Sequence, residues 1–136
     1  MSINDYVDSD KLLDNFMTRS LLNLDQGATI TSDDVSAAKA LLRQKFVIGI
    51  FEWYEASISR FEKYLGWWDA YSVETDATVN QCHYDEVQAH SNDAGWNPDV
   101  PVGSTTWNKF IIRSWADVEL YTYAKHLYSE QSLLFQ

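Results

Sequence analysis

FVIGIFEWYEASISRFEKYLGWW, residues 46–68, is where the hydrophobic pattern of this chain changes period. From Phe46 to Phe51 the residues are almost all apolar, β-branched or aromatic, the composition of a short strand covered on both faces. Glu52 breaks the run. After it Tyr54, Ile58, Phe61 and Leu65 recur at helical spacing, and Arg60 and Lys63 fall in the closing turns, where the helix dipole favours cations. Gly66 supplies the stop. The stretch predicts a strand, an acidic turn and an amphipathic helix, and with them a mainly α domain with one short central strand.

On the N-terminal side, Asp5 or Asp8 is placed to cap a first helix carrying Leu12 or Leu13, Phe16 or Met17, Leu21 and Leu24, with Gly27 as its end. Thr31 and Asp34 have the spacing of a capping box for a second helix, whose inner stripe is Val35, Ala38, Leu41 and Leu42. On the C-terminal side no period holds from about residue 69 to 103, a segment with both prolines, Pro98 and Pro101. A loop of that length inside one domain is usually functional or disordered. Order returns at Ser104, a candidate N-cap for a helix with Trp107, Phe110 and Ile111. Ser114 and Asp117 then open a last helix with Leu120, Tyr123, Ala124, Leu127 and Leu134 on one stripe. The expectation is a single domain over residues 1–136, with five helices, one strand and a long loop.

Three blocks carry a family resemblance. The strand, Gly49, two apolar residues, Glu52 and a helix ending in Leu65-Gly66-Trp67 form the first. Asp14-Asn15 with Arg19 and Leu21 form the second, and Val102-Gly103-Ser104 with Trp107, then Asp117, Glu119, Leu120, Tyr121, Tyr123, Ala124, Glu130 and Gln131, form the third. In this order they resemble the C-terminal region of P-loop sulfotransferases of the carbohydrate and heparan-sulfate type. The resemblance implies the C-terminal part of an α/β fold whose complete members move a sulfuryl group from the donor nucleotide PAPS to a hydroxyl. A complete member also has a glycine- and lysine-bearing loop whose amides cradle the donor phosphate at a helix N-terminus. Here Gly27, Gly49, Gly66, Gly95 and Gly103 are scattered, and none is followed by Lys and Ser or Thr. The resemblance thus implies a region with no PAPS-binding loop of its own, not catalytic alone. A non-catalytic acidic helical protein-interaction module is the alternative.

Ten basic residues against twenty acidic ones give a formal charge of −10, which repels nucleic acid and anionic membrane surfaces. It also disfavours a strongly acidic glycan as acceptor. Six Trp, eight Tyr and six Phe need a core or an interface, which argues against disorder. Cys82 is the only cysteine, so no disulfide forms within the chain. No apolar run reaches the ~20 residues of a membrane span, and the acidic N-terminus is unlike a signal peptide, so the chain is expected to be soluble.

Arg19 is a candidate contact to the donor phosphate, as the resemblance implies, or the partner of a carboxylate. Asp14 lies five positions back, a poor helical spacing, so a partner on another segment is the favoured expectation. Glu52 is a candidate substrate contact at the end of the strand, with its structural use at the start of a helix preferred. Trp96 is a candidate sugar-stacking ring, although Trp67, Trp68 and Trp96 serve equally as loop anchors. Cys82, His83 and His90 are metal-ligand types but match no established zinc spacing, so they are read first as polar loop residues. The bare edges of the Phe46–Phe51 strand call for a cover, from helices, from an upstream domain or from a second copy in a homo-oligomer.

Overall fold

The computed structural model describes residues 2–66, 81, 84–85, 89 and 100–135. It is mainly helical. Helices α1 (Ile3–Asp8), α2 (Phe16–Leu22), α3 (Ser32–Lys45), α4 (Tyr54–Leu65), α5 (Thr105–Arg113) and α6 (Trp115–Gln131) follow in order, with 3-10 turns at Phe51–Trp53 and Ser132–Phe135. The long segment expected at about 69–103 falls almost wholly outside the described residues.

The chain forms two compact units, one of residues 1–46 and 96–124 and one of residues 47–95 and 125–136. In the first, α2 packs on α3 and α1 on α5. Its core includes Val7, Leu12, Val35, Ala38, Leu42, Ala116 and Leu120. In the second, α4 packs on the two 3-10 turns, with Ile48, Ile50 and Leu127 buried. Helix α6 belongs to the first unit as far as Ala124 and to the second from Lys125.

Several boundaries follow from local chemistry as the pattern predicts. Thr31 and Asp34 form the expected capping box on α3, and Ser104 accepts from the Trp107 N–H at the start of α5. Gly66, at φ 67°, takes the left-handed conformation that closes α4. The single first helix is corrected to two. Ser2 and Asp5 form a capping box on α1, which stops at Ser9, and Asn15 at φ 49° turns the chain before α2 begins. Asn23, at φ 54°, ends α2 before Leu24 and Gly27 are reached. Leu134 also leaves the expected stripe, because α6 gives way to the Ser132–Phe135 turn and the side chain is exposed.

The central strand is a second correction. Among the described residues there is no strand. Phe46 and Ile50 do have extended backbone, at φ −126° and −115°. At Ile48 and Ile50, groups that a neighbouring strand would bond are taken by side chains. Gln131 Oε1 accepts from the Ile48 N–H at 2.9 Å, and Ser57 Oγ accepts from the Ile50 N–H at 2.9 Å while donating to the Ile50 carbonyl at 3.0 Å. Two helix-borne side chains thus do the work of a ladder, satisfying buried backbone that would otherwise cost ~1–3 kcal/mol per group.

Candidate functional site

Two blocks of the sequence resemblance, about a hundred residues apart, meet in the first unit. Asn15 is 3 % exposed and uses both ends of its amide. Its Nδ2 donates to Asp14 Oδ2 and to the Arg113 carbonyl, each at 2.9 Å. Its Oδ1 accepts from the N–H groups of Ala116 at 2.8 Å and Asp117 at 3.3 Å, the first turn of α6. Asp117 returns the favour to α2. Its carboxylate accepts from the Met17 N–H at 2.9 Å, the Thr18 N–H at 2.8 Å and the Thr18 hydroxyl at 2.7 Å. Each helix is capped by a residue at the head of the other, so two free donors in each first turn are satisfied in trans.

Arg19 stands beside this joint, 7 % exposed. Its Nε donates to the Asp14 carbonyl at 3.0 Å, its Nη1 to the carbonyls of Asp25 at 2.6 Å and Ala28 at 3.0 Å, and its Nη2 to Asp14 Oδ2 at 3.1 Å. The expected partner on another segment is therefore replaced by Asp14. The five-residue spacing is no obstacle, because Asp14 precedes the left-handed turn at Asn15 and is not on the helix. Partial burial acts to raise the Asp14 pKa, but hydrogen bonds from Arg19 and Asn15, with the Arg19 charge, outweigh it and hold the carboxyl below its ordinary value. The guanidinium ties the segment around Asp25 and Ala28 to the start of α2.

In the second unit Glu52 is exposed and pairs with Lys125 at 3.3 Å, in the turn just before α4. The Lys125 ammonium lies 5.8 Å from the Trp53 ring centre, and Trp53 meets Tyr128 at 5.2 Å in a tilted pair. Arg60 lies over the Tyr128 ring at 3.4 Å and donates to the Tyr128 carbonyl at 2.6 Å. These contacts clasp α4 and its preceding turn to the end of α6. Nearby, Gly49, Ile50, Phe51, Tyr54, Ser57, Ile58 and Phe61 line an apolar hollow of about 240 Å³. The hydroxyl of Ser57, one of the lining side chains, is already bonded to Ile50.

The structure therefore places Arg19 and Glu52 in different units, each in a structural contact. Trp96, Cys82, His83 and His90 lie outside the described residues. Among the described residues no three His, Cys, Asp or Glu side chains gather as a metal would require, and no helix is long and apolar enough to cross a membrane. The joint itself was only half visible in the sequence. Asp117 stands out as a helix-start residue, but its target on α2 does not, and Asn15 falls inside the single helix that the period predicts.

No family model matches the chain, and neither the curated proteins nor the solved structures hold a match to it.

Proposed function

We propose that this chain is the C-terminal region of a sulfotransferase-like protein of the P-loop type, with no donor-gripping loop of its own and no catalysis by itself. The activity it would serve is sulfuryl transfer from PAPS to a hydroxyl, such as that of a carbohydrate. The observation that carries this reading is the meeting of Asn15 with Asp117. These residues belong to separate blocks of the resemblance, and reciprocal capping gives both blocks one reason to occur together. In that role they are scaffold, and the groups that hold the donor phosphate belong to sequence outside this chain.

The test is to sequence the coding DNA upstream of Met1, express the longer protein and titrate PAPS into both forms by calorimetry. The expected result is a strand followed by a Gly- and Lys-bearing loop, PAPS binding by the longer protein, and none by the 136-residue chain. Tight binding by the short chain, or a longer protein without the loop, would contradict it.

The second reading is the acidic helical interaction module. It is favoured by exposed Leu13, Phe16 and Met17 at the start of α2 and exposed Trp115, Val118 and Tyr121 on α6. Apolar side chains grouped on a charged surface commonly mark a docking face. The two readings part over PAPS, which the module does not bind even with its upstream sequence restored.

A further inference from the structure

We draw no further inference here: the strongest candidate, the exposed apolar surface patch of Leu13, Phe16, Met17, Trp115 and Val118 where the heads of α2 and α6 meet, carries none because nothing in the structure shows what covers it.

Discussion

Asn15 has two donors and one acceptor oxygen with two lone pairs, and the structure fills all of these positions. No other side chain of that size supplies both halves. Asp offers no donor, and Leu leaves two N–H groups of α6 and the Arg113 carbonyl without a partner. Arg19 is similarly committed. Arg19→Met keeps the volume but takes the cation from Asp14 and the donor from the carbonyls of Asp25 and Ala28. The expected loss is about 3 kcal/mol in urea unfolding, and a loss under 1 kcal/mol would mean that water replaces the guanidinium. Asp14 adds a pH signature. Its folded pKa lies below the ordinary value of 3.8, so the carboxylate contributes stability that is fully present above that value. The contribution fades as pH falls through the lower folded pKa. The midpoint of urea unfolding is therefore expected to drop as pH falls from about 5 toward 3, and Asp14→Asn is expected to flatten part of that drop. An unchanged pH profile in the variant would contradict the ion pair. Of these roles, the sequence shows residue types but not targets. Arg19 and Asp14 are visible as a possible pair, yet the left-handed turn at Asn15 that brings them together leaves no periodic trace.

The extended segment at residues 46–50 shows how an element can satisfy its pattern without its usual partner. The apolar run marks a chain buried on one face only, at Ile48 and Ile50, with Phe46 and Phe51 exposed, and the helix that follows starts and stops where period and glycine place it. Strand pairing is a non-local property, and here Ser57 and Gln131 supply it in a form that periodicity cannot signal. Ser57→Ala removes the hydroxyl that bridges the N–H and carbonyl of Ile50. It is expected to cost about 1–3 kcal/mol, while leaving the helical circular dichroism intact. A change within 0.3 kcal/mol of zero, roughly the limit of additivity between independent sites, would show the bridge to be dispensable. Gly49 is a second local test. A Cβ there would lie 2.6 Å from Phe61 Cζ and 3.3 Å from Ser57 Cβ, so Gly49→Ala is expected to destabilise by about 1–3 kcal/mol as the ring is displaced toward the hollow. Gly27→Ala, with nothing within 4 Å of the added atom, serves as its control and is expected to be neutral or slightly stabilising. The split of the first helix is the converse lesson. Apolar residues with a 3.6-residue period span it, but Ser9, whose hydroxyl donates to the Tyr6 carbonyl, and the left-handed backbone at Asn15 and Asn23 interrupt it.

Across the chain the charge of −10 is the dominant long-range term. Cross-links such as Lys39 to Glu119 at 2.5 Å and Lys109 to Asp8 at 2.6 Å lie at the surface and offset little of it. Screening should therefore favour the folded state, and the urea midpoint at neutral pH is expected to rise between about 10 mM and 150 mM salt. A fall would mean that the surface pairs outweigh the repulsion. Mainly helical character and acidity were both legible in composition and period. The closure of the first unit was not, because it depends on residues about a hundred positions apart. That closure is the observation on which the proposed function rests. Its test is a double-mutant cycle by urea unfolding, with Asn15→Ala, Asp117→Ala and the pair. Each single variant is expected to lose about 1–3 kcal/mol, and the pair is expected to lose less than the sum by about 0.5 kcal/mol or more, because either change opens the same joint. Losses that add, or that stay below about 0.5 kcal/mol each, would show that the two blocks do not hold one another.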